Sequence, residues 1–151
     1  METVELIKVL GEKLDVELTV DSDGTCAFEA DGMVVSIHDL RELSAVALVG
    51  DLGEPPPERL EALYKAMMES NYLFSGTAGA TISRNPATGR FALCQAWSCS
   101  TLDGDSFYAA VERFLNTLEV WGRMVHNYRS GNSSSDEAAE APDLDGGFLR
   151  V

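Results

Sequence analysis

Between Leu60 and Val125 the spacing of apolar residues changes twice, from helical to alternating and back. That alternation of period leaves few folds open, because a helical stripe and a strand face bury themselves in different ways. Leu60, Leu63, Tyr64, Met67 and Asn71 fall on one helical stripe with Met68 beside it. Glu58, Glu61, Lys65 and Glu69 lie mostly opposite, so the spacing predicts an amphipathic helix. It ends at Glu69-Ser70-Asn71-Tyr72 and is followed by the small-residue turn Ser75-Gly76-Thr77-Ala78-Gly79-Ala80.

Next, residues 81–84 and 90–97 read as a hairpin, with Pro86 and Gly89 in its loop. On its second strand Phe91, Leu93, Gln95 and Trp97 share a face. Ala92, Cys94, Ala96 and Ser98 share the other, small enough for a neighbouring backbone or helix to approach closely. Asp103 then stands where a helix N-cap is expected. Phe107, Val111, Phe114, Leu115, Leu118, Trp121 or Gly122, and Val125 make a long helical stripe, with Tyr128 near its end.

The N-terminal part has the same grammar. Val4, Ile7, Leu10 and Leu14 recur at helical steps over residues 3–14, where Gly11 weakens the last turn. From Val16 the period becomes two, with Val16, Leu18 and Val20 alternating with Glu17 and Thr19. Asp21-Ser22-Asp23-Gly24 is a turn cluster, after which Cys26, Phe28 and Ala30 alternate with Ala27 and Glu29. Asp31-Gly32 precedes Met33, Val35 and Ile37. Asp-Gly between alternating runs signals a tight hairpin, since both residues tolerate the positive φ of a type I′ turn. Ser44 to Gly50 is a short apolar run suited to a buried strand, and Pro55-Pro56-Pro57 closes the block before the central helix.

The expected architecture is α+β: a twisted antiparallel sheet with three helices, in the order αβββαββα. The 151 residues suit one domain over 1–129. Residues 130–151 begin Ser130-Gly131-Asn132-Ser133-Ser134-Ser135 and run into acids, a composition expected to stay disordered. Charged residues within the first 20 positions, and the lack of an apolar run of about 20 residues, argue for a cytoplasmic protein without a membrane span.

The formal charge of −14 is spread along the chain. That sign opposes binding to nucleic acid phosphates and to anionic lipid. It suits solubility, or a partner with basic segments. Three cysteines without a close-spaced pair form neither a disulfide framework nor a zinc site. Asp21/Asp23, Asp103/Asp105 and Glu58/Glu61 stand where turns and helix starts favour acids. Gly76 and Gly79 are not followed by the Gly-Lys-Ser/Thr of a phosphate loop. No cofactor or metal is indicated. The one enzymatic alternative is a thiol enzyme using Cys94 or Cys99 with His126.

What remains is apolar surface for a protein partner. Its arrangement resembles the Tir chaperone (CesT-like) family, the class I chaperones of type III secretion. The resemblance rests on Gly24-x-Cys26 leading into a strand and on the Asp31-Gly32 turn. It continues through the helix ending in Ser70-Asn71, Thr77-Ala78-Gly79-Ala80, the Gly89–Trp97 strand and Phe107–Trp121, and so spans about 1–128. It implies a small acidic cytoplasmic homodimer without ATPase activity. Such a protein holds the N-terminal segment of a secreted effector in extended form, keeps it soluble and delivers it to the secretion apparatus. It implies a dimer interface on the central helix and following strands, carried here onto Leu63, Met67, Tyr72, Leu93 and Trp97. It also implies effector grooves on the first helix and neighbouring strands, carried onto Leu6, Leu10, Phe28, Met33, Val35 and Ile37. An adaptor of the same fold that binds a folded partner is the alternative. The acidic C-terminal segment exceeds the usual end of such domains.

Overall fold

The computed structural model describes residues 1–130. Helix α1 (Thr3–Leu14) leads to strands β1 (Thr25–Ala30), β2 (Met33–Leu40) and β3 (Ala45–Gly53). Helix α2 (Leu60–Asn71), the β4 (Thr81–Arg84) and β5 (Phe91–Ser98) hairpin, and helix α3 (Gly104–Ser130) follow. The five strands form one antiparallel sheet in the order β1-β2-β3-β5-β4. The α+β class and the element order are those expected from the changes of period. The supposed tail 131–151 lies outside the described residues.

The local signals act where they were read. Asp31 and Gly32 take φ of 50° and 79°, joining β1 to β2 by a tight turn that pairs Ala30 with Met33. Asp103 caps α3: its Oδ1 accepts from the Ser106 amide at 2.8 Å, and the Asp103 amide donates back to Ser106 Oγ at 2.9 Å. Between β2 and β3 the chain makes a single 3-10 turn, Arg41–Leu43.

The alternation of Val16, Leu18 and Val20 does not add a strand to the sheet. Residues 17–20 belong to no helix and pair with no strand. Val16 N–H instead bonds the Gly11 carbonyl at 3.0 Å, turning the segment back along α1. A Cβ on Gly11 would lie 2.9 Å from the Val16 carbonyl oxygen, so the residue that weakens the helix is what permits this close return.

The core lies between α1, α3 and one sheet face. That face carries Cys26, Val35, Ile37, Val46, Leu48, Leu52, Phe91 and Leu93, all buried. The α3 stripe of Phe107, Val111, Phe114, Leu118, Trp121 and Val125 is buried against it. Leu118 sits directly over Gly50, where an added Cβ would come within 2.5 Å of its Cδ1. Gly50→Ala is therefore expected to destabilise by about 1–3 kcal/mol through overpacking. The denaturant midpoint would shift at unchanged m-value, and an unshifted midpoint would show that Leu118 repacks freely.

Two devices fix the loops around α2. Trp121 Nε1–H donates to the Gly76 carbonyl at 2.8 Å, tying the turn after α2 to α3. At the other end of the β4–β5 hairpin, Arg90 donates to both Asp51 carboxylate oxygens at 3.0 and 2.7 Å. These bonds hold the Asp51 carboxyl below its ordinary range, against a smaller opposing effect of burial. Because the folded-state value is depressed, the pair contributes fully above the ordinary carboxylate range and is lost as pH falls through the depressed value. Both side chains are more than a third exposed, so the contribution is expected within about 1 kcal/mol. Arg90→Ala should return the Asp51 titration, followed by carboxyl NMR, to the ordinary range.

Candidate functional site

Sheet register assigns every strand residue to a face. The face away from α3 carries Ala27 and Glu29 of β1, Val34, Ser36 and His38 of β2, and Ala47 and Val49 of β3. It continues through Ala92, Cys94 and Ala96 of β5 to Thr81 and Ser83 of β4. No described helix covers it. The small face read from alternation on the second hairpin strand is thus the outer face of the sheet.

A cluster of exposed apolar side chains lies at the C-terminal end of α2. Met68, Tyr72 and Leu73 are 70%, 74% and 69% exposed, and Tyr64 and Phe74 are exposed beside them. Tyr64 keeps one ring edge against Phe91, 5.7 Å between centroids. Leu73 and Phe74 take positive φ of 52° and 57°. Left-handed backbone at residues with bulky side chains costs on the order of 1 kcal/mol each and persists only where the surroundings impose it. Here Gly76 N–H bonds the Ser70 carbonyl at 3.0 Å and Ser75 N–H the Tyr72 carbonyl at 3.2 Å, closing the chain tightly after α2. Closure throws Tyr72-Leu73-Phe74 outward.

Asn71, the last residue of α2, does different work. Its amide Nδ2 donates to the Ile82 carbonyl at 3.1 Å, and its Oδ1 accepts from the Ile82 amide at 2.8 Å. The side chain thereby occupies the outer edge of β4, which cannot accept another strand at that point.

The second surface lies on α1. Val4, Ile7, Gly11, Val16, Leu18 and Val20 floor a groove of about 620 Å³ between the helix and the returning 16–20 segment. Val4 and Val16 are about half exposed.

The residues expected to line a partner site divide sharply by burial. Leu6, Leu10, Val35 and Ile37 are 0–1% exposed and belong to the protomer core beneath the groove. Phe28 and Met33 are half-buried on the core-side face near the β1–β2 turn. Of the expected interface set, Leu63, Met67 and Leu93 are core, Trp97 is half-buried, and Tyr72 is open. Period alone did not find Met68, Leu73, Phe74, Val4 or Val16. The signal was present in Tyr72-Leu73-Phe74: three consecutive large apolar residues cannot all face one core.

Among the described residues no thiol is hydrogen-bonded to a histidine. Cys94 lies 3.3 Å from Ser83 Oγ on the outer sheet face, away from α3, which carries His126. Cys99 lies 3.6 Å from Thr3 Oγ1. Burial, with a smaller effect of Asp21, raises the Cys26 thiol pKa and keeps it protonated. Among the described residues no group of three or more His, Cys, Asp or Glu is placed to hold a metal, and no helix is long and apolar enough to cross a membrane.

The family model of the Tir chaperone protein (CesT) family matches residues 5–122. The chain belongs to the Tir chaperone (CesT) family. No curated protein matches it. Among solved structures, it is similar to a chain of the ExsC–ExsE complex, with TM-score 0.70 and 18% identity over 83% of this chain and 97% of that one. The HopA1–SchA chaperone–effector complex gives 0.61 and 18%, over 83% and 91%. The Yersinia pestis type III secretion chaperone SycH, solved with a stable fragment of YscM2, gives 0.61 and 15%, over 80% and 96%. At these identities the likeness establishes a common fold.

Proposed function

We propose that this protein is a type III secretion chaperone that binds the N-terminal segment of a secreted effector in extended form. It keeps that segment soluble and competent for export without ATP, and acts by binding rather than catalysis, in the cytoplasm. The observation that carries this reading is the family match over 5–122, on a fold that leaves apolar surface its own core does not use. The similar structures include complexes named as chaperone with effector or bound fragment. Holding an unfolded segment needs apolar coverage, because such surface otherwise aggregates. No bond is made or broken, so no acid, base or metal is required.

The exposed α2 patch serves a homodimer. A twofold contact presents the same surface from both copies, so Tyr64, Met68 and Tyr72 meet their counterparts. The small outer face of β4 and β5 lets the two backbones approach. Dimerisation also doubles the grooves available to one chain of cargo, raising affinity through effective concentration.

Affinity purification of the tagged full chain from its native cells, under conditions that induce secretion, tests this reading. A near-stoichiometric exported protein is the expected companion. A folded, non-exported companion would assign the chain to an adaptor role instead.

A further inference from the structure

The charge of the described residues is segregated. Residues 1–54, which form α1 and β1 to β3, carry thirteen acids against three bases. Residues 55–130, from the proline run through α3, carry seven of each. The net negative charge therefore belongs to the first part alone, and the exposed patch of Met68, Tyr72, Leu73 and Phe74 belongs to the balanced part. Bases also gather where α3 ends. The Arg59 guanidinium sits 4.5 Å from the Tyr128 ring centroid, and Arg129 Nη1 lies beside Gly53.

Residues 131–151 lie outside the described residues, and their sequence has two parts. Asp136, Glu137, Glu140, Asp143 and Asp145 precede Phe148-Leu149-Arg150-Val151, three large apolar residues in four positions. Like-charge repulsion steers such a segment away from residues 1–54, including the groove beside α1, whose rim carries Glu12, Asp15 and Glu17. The balanced part presents no such barrier. Distance favours the same side. Trp121 Nε1–H bonds the Gly76 carbonyl, so the turn after α2 meets α3 nine residues before Ser130, about 14 Å along the helix. Seventeen residues separate Ser130 from Phe148, and a coil of that length has a root-mean-square reach of roughly 20–25 Å.

We infer that Phe148, Leu149 and Val151 cover the apolar patch at the end of α2 in the free protomer and are displaced when a second copy arrives. This rests on the homodimer reading and supplies its regulation. The chain's own C-terminal segment competes for the dimer surface and so sets the concentration at which copies associate. Three apolar side chains would hold such a patch weakly from free solution, but attachment to α3 keeps them at an effective concentration on the order of millimolar. The competition enters twice, because both protomers must release the segment before they pair. With the patch covered in two-thirds of free protomers, the dimer dissociation constant rises about ninefold.

Phe148→Ser combined with Leu149→Ser in the full chain tests this. The pair of substitutions removes apolar area, keeps every charge and alters no described residue. Sedimentation over a dilution series is expected to show the double variant dimerising about tenfold more tightly than the unsubstituted chain. At dilutions where both are monomeric, the side-chain methyl NMR resonance of Met68 should differ between them, while those of Met33 and Met124 coincide. Equal dimer affinity, or a Met68 resonance that the double substitution leaves unmoved, would overturn the inference. A response confined to the methyl groups of Val4 and Leu18 would also overturn it and place the segment in the groove beside α1. The homodimer reading fails separately: if both chains stay monomeric at every concentration while Met68 responds, that reading falls and the competition falls with it.

Discussion

Trp121→Ala is expected to destabilise the protein by about 3–5 kcal/mol, a large share of the roughly 5–15 kcal/mol that holds a domain together. The side chain is fully buried, and its loss opens a cavity at the centre of α3's apolar stripe. The substitution also strips the Gly76 carbonyl of the indole N–H that donates to it. Trp121→Phe separates the two effects, because most of the ring volume stays while the N–H goes. That variant should cost about 1–3 kcal/mol, the penalty for a buried polar group left unmet. The ordering can be read from urea unfolding at one fixed protein concentration, since dimerisation would otherwise contribute to apparent stability. A Phe variant as damaging as the Ala variant would mean that the hydrogen bond, not the filled volume, sets the requirement. The consequence reaches function: Trp121 anchors the turn that follows α2, and that turn presents Tyr72, Leu73 and Phe74.

Met68→Glu is expected to weaken self-association by about 100-fold or more while leaving the protomer folded. Met68 is 70% exposed in the protomer, so a carboxylate there is solvated until a second copy arrives. In the dimer it would be desolvated against an apolar surface, and central interface residues carry on the order of 2 kcal/mol or more each. Tyr72→Glu should act in the same direction. Met67→Glu is a different experiment despite adjacent numbering. Met67 is 4% exposed, so a charge there is placed in the core and the protomer unfolds. Sedimentation of the folded Met68 variant decides the matter. Dimers persisting at concentrations where the unsubstituted protein is also dimeric would remove α2 from the interface.

The contrast between Met67 and Met68 shows where sequence reading reached and where it stopped. Changes of period located all three helices, the sheet and both hairpins, because burial on one face leaves a repeat in the chain. Asp31-Gly32 and Asp103 were legible for the same reason: each meets a backbone requirement that few residues satisfy. A period identifies a buried face, however, not whether it is buried by the protomer or by a partner. Leu6, Leu10, Val35 and Ile37 have the character expected of groove residues and lie in the core. The alternation over residues 16–20 has the period of a strand, and alternation is all a strand shows in sequence. Whether a neighbour bonds to it depends on chain elsewhere, and here Gly11 lets the segment follow α1 instead. The exposed patch was the least legible feature. It arises from a tight closure after α2, in which Leu73 and Phe74 take left-handed conformations that no propensity forecasts.

The central claim is that an effector's N-terminal segment is held extended on this protein. Limited proteolysis of the purified complex, followed by mass spectrometry of the fragment that remains bound, tests it most directly. The account predicts one protected partner fragment from the N-terminal region, retained by a chaperone whose own residues 1–130 resist cleavage. Protection of a compact domain elsewhere in the partner, with its N-terminal segment cut freely, would contradict it.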